Sequence, residues 1–143
     1  HIVGTGVDFQ EVYSYSQQLH LQEEIIHFHG ELPPREVAEM FAKSDIFILF
    51  SRYETAGVVI AESLVTGTPV VTTSVGIAPE YINENNGILV NSEAEAELAD
   101  ALNFMMDHPE KYNSEVIRKG SDIFSFENTG KTLDSIYQQV LRK

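Results

Sequence analysis

The segment DIFILFSRYETAGVVIAESLVTGTPVVTTSV, residues 45–75, decides the fold. It holds an apolar run (45–50), a loop containing Gly57, a helix-like run (55–66) and a second apolar run (69–75). The near-continuous first run predicts a strand that is buried on both faces of a parallel sheet. Strand, helix and strand in this order predict a parallel α/β unit.

The same alternation runs through the rest of the chain. Further strands are predicted at 1–6, 25–30 and 87–91. Further helices are predicted at 8–21, from Pro33 onward, and at 78–82, 92–107, 109–120 and 127–143. Ser92 is the predicted N-cap of its helix, because Glu95 stands three residues later. The pattern predicts the α/β class, with a Rossmann-like parallel sheet flanked by helices and ligands at the carboxyl ends of the strands.

Composition and charge limit the functions open to this chain. Its 143 residues, 43% hydrophobic and 22% charged, suit one globular domain with a sizeable core. The net charge of -13 argues against nucleic acid and against an anionic membrane surface as partners. The absence of cysteine fits a reducing, cytoplasmic compartment, and no apolar run approaches the ~20 residues of a spanning helix. Because the chain begins with His1 and not Met, we expect a piece of a longer protein.

Two glutamates bracket the start of the central helix. Glu54 and Glu62 are separated by seven residues, and a helix starting near Thr55 leaves the amides of residues 55–58 without intrahelical partners. These amides and the helix dipole predict an anion site suited to phosphate, with Thr55 as a cap. Along a helix the two carboxylates lie roughly 12 Å apart, which matches a nucleotide sugar from its sugar to its ribose. A capped surface helix with two solvated acids is the alternative.

This segment resembles the glutamate-x7-glutamate motif of the retaining glycosyltransferases with the GT-B fold. The positions that match the family pattern are Ser51, Glu54, Gly57, Glu62, Gly67, Pro69, Val70 and Val71. The resemblance continues in GIAPE (76–80), NGILV (86–90), FHGEL (28–32) and FSFEN (124–128). Departures from the pattern lie beside the glutamates, at Thr55, Ala56, Ser63 and Val65, and are expected to change the shape of the pocket near the donor sugar.

The resemblance assigns a role to each matching position. It implies that Glu54 is the catalytic residue, binding the donor sugar hydroxyls and steadying positive charge, and that Glu62 holds the ribose diol. The helix start is implied to bind the donor, chiefly its diphosphate, through Thr55, Ala56, Gly57 and Val58. The base and sugar ends of the donor are implied to meet Gly30, Glu31, Leu32, Gly76 and Ile77. Gly4 and Gly6 are predicted to line the donor cleft from a strand-end turn, and Arg52 is a candidate phosphate contact.

The implied whole enzyme is a hexosyltransferase. It transfers a sugar from a nucleotide diphosphate sugar, of UDP or GDP type, to an acceptor hydroxyl with retention, and needs no metal or other cofactor. Residues 1–143 would form its donor-binding domain, one half of the GT-B fold with the first strand missing. The acceptor, a sugar or a lipid-linked group, would bind through an absent N-terminal domain, so the isolated fragment is predicted to be inactive. Polysaccharide biosynthesis, in the cytoplasm or peripherally at the inner face of the membrane, is the expected setting.

The last helix, 127–143, is expected to pack on that absent domain and to be a candidate surface for self-association. Its exposed apolar residues are then expected to be Ile136, Tyr137, Val140 and Leu141. His27 and His29, on one face of a predicted strand, suggest a metal but lack further ligands at a supporting spacing, so packed or loop histidines are favoured. Two other functions stay open, a nucleotide-sugar 2-epimerase of the same fold and a non-catalytic module that binds sugar nucleotides.

Overall fold

A computed structural model describes residues 1–21 and 25–142. Its contacts divide the chain into two compact units, His1–Met40 and Phe41–Lys143. The single donor-binding domain over 1–143 stays a prediction. The elements are α1 (Phe9–Gln18), α2 (Pro34–Lys43), β1 (Phe47–Leu49), α3 (Val58–Thr66), β2 (Val70–Thr73), α4 (Ala78–Tyr81), β3 (Gly87–Val90), α5 (Glu95–Asp107), α6 (Ser114–Gly120) and α7 (Phe126–Leu141), with 3₁₀ turns at Pro109–Lys111 and Asp122–Phe124.

The first unit is organised around a pairing of two short extended segments. Ile2 and Phe28 form an isolated parallel bridge, in which the Ile2 amide donates to the carbonyl of His27 at 2.8 Å. The predicted strands over 1–6 and 25–30 are therefore wrong in extent, since only isolated bridges form there. Backbone with positive φ at Gly4 (+118°) and Gly30 (+65°) ends the extended conformation in both segments.

Aromatic packing holds α1 against this bridge. The rings of Phe9 and Tyr13 lie 5.6 and 5.2 Å from the ring of Phe28, both at steep interplanar angles. α1 ends at Gln18, earlier than the predicted 8–21, and His20 has φ +53°, outside the helical range. Edge-to-face pairs of this kind add about 0.5–1.5 kcal/mol beyond the apolar area that they bury.

The second unit contains a three-stranded parallel sheet in the order β1-β2-β3. Val70 of β2 is the register partner of both Phe47 and Gly87, so the three strands start level with one another. α3 and α4 make the crossovers between consecutive strands, as parallel pairing requires. The carboxyl ends of all three strands therefore meet at one edge of the sheet.

Helices cover both faces of this sheet, and β2 lies at its centre. Side chains on a strand alternate between faces, so Val70 and Val71 enter different cores. One core holds Val70 with Ile60, Leu64, Ala78, Ile82 and Ile117. The other holds Val71 with Val90, Ala101 and Met105. Parallel strands with helices on both faces confirm the predicted Rossmann-like α/β fold.

The first strand of the sheet departs from its prediction. β1 covers Phe47–Leu49, and Ile48 is 46% exposed, so the run 45–50 is not buried on both faces. β1 is an outer strand of the described sheet, where the central β2 is buried at all four positions. An apolar run identifies the strand but does not show whether helices cover both of its faces.

Helix ends also differ from the sequence patterns between residues 92 and 120. α5 begins after Ala94, and Ser92 makes no capping hydrogen bond, because Glu93 adopts a left-handed φ of +63° between them. The predicted helix over 109–120 is divided into a 3₁₀ turn and α6, whose cap is the Asn113 side chain accepting from the amides of residues 115 and 116. α7 is capped by Ser125, close to the predicted start, and residue 143 of that prediction lies outside the described residues.

Across residues 1–21 and 25–142, no helix has both the length and the apolar character needed to cross a membrane.

Candidate functional site

Glu54 lies between two glycines at the carboxyl edge of the sheet. A Cβ added to Gly57 would lie 3.3 Å from the Glu54 Cγ, and a Cβ added to Gly76 would lie 2.8 Å from the Glu54 carbonyl oxygen. Gly57 and Gly76 both have left-handed backbone, with φ of +56° and +57°. Only glycine combines that backbone with so close an approach, so the two loops that follow β1 and β2 meet at Glu54. The structure thus brings together three residues that the sequence assigned to the donor.

The start of α3 corrects the prediction for the diphosphate site. The helix begins at Val58 and not near Thr55, because Gly57 is its N-cap in a left-handed conformation without a side-chain cap. Thr55 does not cap the helix, and its amide donates to the Glu54 carboxylate at 3.1 Å. Thr55 and Ala56 therefore belong to the preceding loop. The amides at the open end of the helix are those of Val58 and Val59, since the Ile60 amide donates to Gly57.

Glu62 lies inside α3 with its side chain exposed. Glu54 precedes the helix, so the spacing of roughly 12 Å derived from helical rise does not describe this pair. The other end of α3 is closed by Gly67, at φ +88°, and by Arg118, whose Nη2 donates to the Thr66 carbonyl at 2.9 Å. A guanidinium at a helix C-terminus also complements the helix dipole. The C-terminal end of α3, the helix that carries Glu62, is therefore fixed.

Arg52, the candidate phosphate contact, is engaged by a neighbouring acid. Its Nε lies 3.0 Å from the Glu93 Oε1, and both side chains are largely exposed. Glu93 follows β3, so this ion pair joins the loops after the first and third strands at the same edge as Glu54. Exposed pairs of this kind stabilise by about 0–1 kcal/mol. A dianionic ligand would thus compete with Glu93 at little cost in stability.

The loop after β3 is also anchored to α5. Glu97 accepts from the Asn91 amide at 2.9 Å and from the Asn91 Nδ2 at 3.0 and 3.1 Å. The Asn91 backbone hydrogen bond, followed by that of its side chain, holds the pKa of the Glu97 carboxyl below its ordinary value. These bonds fix the start of the loop that presents Glu93.

The first unit gathers the residues assigned to the base end of the donor. The Gly4 amide donates to the Gly30 carbonyl at 2.6 Å, and the Thr5 hydroxyl donates to the Glu31 carboxylate at 2.7 Å. An apolar hollow of about 320 Å³ in this unit is lined by Gly4 and Gly6 together with Ile2, Val3, Val7, Asp8, Phe9, Val12 and Phe28. Leu32 is half-buried in the same unit. That these residues and the donor residues of the second unit line one donor cleft stays a prediction.

Thr73 is a residue of this site that the sequence analysis missed. It is fully buried in β2, and its hydroxyl donates to the Ser51 carbonyl at 2.6 Å, three residues before Glu54. The signal was present, because two threonines interrupt an apolar strand in PVVTTSV. A hydroxyl in a buried strand needs an acceptor, and here the acceptor lies in the loop that carries Glu54. Ile77, the N-cap of the short α4, follows Gly76 as predicted.

Two histidines of the first unit, His27 and His29, stack against His1. The His1 ring lies 5.1 Å from that of His27 and 5.0 Å from that of His29. Among the described residues, no group of three or more His, Cys, Asp or Glu side chains is arranged to hold a metal ion.

The comparisons with known proteins decide the family. The family model described as Glycosyl transferases group 1 matches residues 1–121. The chain belongs to this glycosyltransferase family. A D-inositol 3-phosphate glycosyltransferase of Corynebacterium kroppenstedtii is 30% identical over 122 residues, which cover 83% of this chain and 27% of that protein. The resemblance stated from the motifs is therefore confirmed at the level of the family.

Solved structures of glycosyltransferases share the fold. Sucrose-phosphate synthase of Thermosynechococcus elongatus superposes with a TM-score of 0.83 at 23% identity, over 96% of this chain and 35% of that one. Anabaena HepE in complex with UDP-glucose superposes with a TM-score of 0.75 at 26% identity, over 93% of this chain and 40% of that one. These likenesses confirm the GT-B type of Rossmann-like fold. The chain thus spans between about a quarter and two fifths of the length of these three proteins.

Proposed function

We propose that this chain is the donor-binding part of a longer hexosyltransferase, which moves a sugar from a nucleotide diphosphate sugar to an acceptor hydroxyl with retention. The observation that carries the proposal is the placement of Glu54 between Gly57 and Gly76, next to the open end of α3. Family membership and the UDP-glucose complex of a structural relative support a nucleotide-sugar donor.

The reaction breaks the bond between the anomeric carbon and the diphosphate oxygen, and it forms a bond from that carbon to the acceptor oxygen. The acceptor hydroxyl gives its proton to the departing diphosphate. Negative charge develops on the diphosphate as it leaves. The amides of Val58 and Val59, at the positive end of α3, are placed to stabilise this charge. Arg52 adds a cation once the diphosphate displaces Glu93.

Positive charge develops on the sugar ring in the same step. The Glu54 carboxylate binds the sugar hydroxyls and opposes this charge, while Gly76 and Ile77 line the sugar end. Glu62, further along α3, accepts hydrogen bonds from the ribose diol. The base meets the backbone after Gly30, at Glu31 and Leu32. No metal is required in this scheme, because the helix end and the guanidinium supply the positive charge.

The acceptor, a sugar or a lipid-linked group, is proposed to bind to the remainder of the longer protein. This chain alone therefore binds donor weakly or not at all and has no turnover. The proposed setting is polysaccharide assembly in the cytoplasm, with peripheral contact at the inner face of the membrane.

α7 is the proposed contact between this chain and the remainder of the longer protein. The four residues expected from the sequence are exposed: Ile136 (49% exposed), Tyr137 (64%), Val140 (64%) and Leu141 (79%). Phe126 and Leu133 of the same helix, which the sequence analysis did not name, are exposed as well. In isolation this surface is proposed to drive self-association. Sedimentation of the isolated chain would then show a mass that rises with concentration, and Val140→Asp would suppress the rise. A concentration-independent monomer would contradict this part of the proposal.

The proposal is tested by thermal shift with UDP-glucose, GDP-mannose and ADP-glucose on the complete polypeptide that contains this sequence. Binding stabilises the folded state by mass action, so one nucleotide class is expected to raise the midpoint temperature. Glu62→Ala is expected to reduce that rise. Glu84→Ala is the matched control, because Glu84 is an exposed acid before the amino end of β3. An undiminished rise in Glu62→Ala would remove Glu62 from the site, and no rise with any donor would contradict the proposed function.

A further inference from the structure

β2 carries two adjacent buried threonines with different partners. The Thr72 hydroxyl donates to the Leu49 carbonyl at 2.9 Å, within the neighbouring strand β1. The Thr73 hydroxyl donates to the Ser51 carbonyl at 2.6 Å, beyond the end of β1. Both side chains are at most 1% exposed. Thr72 therefore supports the sheet itself, whereas Thr73 supports the loop that leaves the sheet toward Glu54.

The Glu54 loop is attached to the β2 side of the edge at two points. The first is the hydrogen bond from Thr73 to Ser51. The second is the close approach of Gly76, whose added Cβ would lie 2.8 Å from the Glu54 carbonyl oxygen. Between these points lie only Arg52 and Tyr53, both exposed. The position of the Glu54 carboxylate thus depends on contacts that come from β2 and the turn after it.

A hydroxyl at position 73 is not what burial favours. Val70 and Val71 fill the preceding positions of the same strand, and all four residues of β2 are buried. Removing a hydroxyl from water is unfavourable unless it is hydrogen-bonded, and valine has nearly the same shape without that cost. The bond to Ser51 removes the cost, and the Ser51 carbonyl in turn depends on it for a donor.

We propose that Thr73 is a positioning residue for Glu54, acting through the Ser51 carbonyl. The inference rests on the proposed function and concerns the part of the site that binds the donor sugar. Loss of the hydroxyl releases residues 51–54 from β2, so the Glu54 carboxylate is no longer held against the donor sugar. The ribose contact and the helix-end amides for the diphosphate lie on α3, which is fixed by Gly67 and Arg118, and they are retained. Arg52 lies in the released segment, but its contact is with the diphosphate, which nucleotide and nucleotide sugar share. The affinity for the nucleotide sugar therefore falls by a larger factor than the affinity for the free nucleotide.

The test is calorimetry on the complete polypeptide, with UDP against UDP-glucose and GDP against GDP-mannose. The readout is the ratio of the two dissociation constants within each pair. Glu54→Gln, which removes the proposed sugar contact directly, is the reference for a lost preference. In Thr73→Val the preference for the nucleotide sugar is expected to fall about five- to tenfold, the scale of one hydrogen bond. Any loss of the Arg52 contact with the diphosphate lowers the affinity for both ligands by the same factor and cancels from the ratio. Thr73→Ser keeps the hydroxyl and is expected to restore the preference.

Thr72→Val is the matched control, because it removes a buried hydroxyl from the adjacent position of the same strand. It is expected to lower the thermal midpoint and to leave the ratio unchanged. A purely structural role for Thr73 would weaken nucleotide and nucleotide sugar together, and that result would overturn the inference. Should Thr73→Val fail to fold, Thr73→Ala gives the same comparison with a smaller side chain.

The proposed function and the positioning role fail under different outcomes. If the wild type binds none of the four ligands and shows no thermal shift with ADP-glucose, the proposed function fails and the inference falls with it. If the wild type prefers the nucleotide sugar and Glu54→Gln loses this preference, the proposed function stands. Retention of the full preference in Thr73→Val would then overturn the positioning role alone.

Discussion

Gly76 lies against the backbone of Glu54 so closely that a Cβ at position 76 would be 2.8 Å from the Glu54 carbonyl oxygen. The two residues belong to loops that follow neighbouring parallel strands, and their approach closes the carboxyl edge of the sheet around the carboxylate. A proposed donor-sugar site is thereby shaped by main-chain contacts. Only glycine permits this backbone arrangement, and the Glu54 carboxylate is the side-chain group that it holds at the proposed site.

Gly76→Ala is expected to disrupt this arrangement. The left-handed φ of +57° costs a non-glycine residue roughly 1–2 kcal/mol, and the added methyl also displaces the Glu54 backbone. The thermal midpoint and the preference for UDP-glucose over UDP should both fall. Gly130→Ala is the control, because Gly130 lies in α7 with open space around it and alanine favours helix by about 0.5–1 kcal/mol. An unchanged midpoint in Gly76→Ala would contradict the close packing.

Glu54 and Glu62 are expected to contribute to different parts of the donor. Glu54→Gln should weaken UDP-glucose and leave UDP unchanged, since only the sugar contact is lost. Glu62→Gln should weaken both ligands by the same factor, about tenfold for a hydrogen-bonded carboxylate on the ribose. Dissociation constants for both ligands measure this directly. Equal losses of UDP affinity in the two variants would contradict the division of roles.

The start of α3 shows why sequence reasoning predicted the helix and misplaced its first residue. An apolar run over 55–66 predicts a helix, and the helix forms, but hydrophobic periodicity does not show where its first residue lies. Gly57 decides that point through a left-handed backbone, which excludes Thr55 and Ala56 from the helix. Because of the conformation of Gly57, the proposed diphosphate contacts are the amides of Val58 and Val59.

Long-range pairings were beyond the reach of sequence patterns for a different reason. β2 and β3 agree with their predicted strands, because a buried apolar run is specified locally. The ion pair of Arg52 with Glu93 joins residues far apart in the sequence, and no local pattern indicates it. The strand predictions in the first unit, over 1–6 and 25–30, were wrong in extent for another reason. Glycines bound these segments, which form no more than isolated bridges.

The ion pair gives a prediction about diphosphate affinity. Glu93→Gln removes the competitor for Arg52, so UDP affinity is expected to rise by about two- to fivefold, within the range of an exposed pair. The rise should shrink at high salt and vanish in the double variant with Arg52→Gln. Arg35 and Glu39 form a comparable exposed pair in α2, and Glu39→Gln is the control with unchanged affinity. Equal affinity in Glu93→Gln and the wild type would remove Arg52 from the phosphate site.

The hydrogen bonds between Asn91 and Glu97, which anchor the loop after β3, are testable by titration of Glu97. Hydrogen bonds from Asn91 hold the pKa of Glu97 below its ordinary value of 4.5. The larger contribution comes from the Asn91 backbone amide, and the second comes from the Asn91 side chain. Asn91→Ala removes only the second, so the pKa should rise part of the way back. A lowered pKa in the folded state stabilises the protein above the ordinary value, and this contribution is lost as pH falls through the folded pKa. Carboxyl NMR titration of Glu97 in both proteins checks the shift, and equal pKa values would contradict the side-chain contribution.

Hydrogen exchange of the complete polypeptide, with and without the nucleotide sugar that binds in the thermal panel, tests the central claim most directly. Binding at the proposed site predicts slower amide exchange in two segments, 51–62 and 74–80, and unchanged exchange in α6. Slowing confined to other segments, with 51–62 and 74–80 unaffected at saturating ligand, would contradict the assignment of this edge of the sheet to the donor.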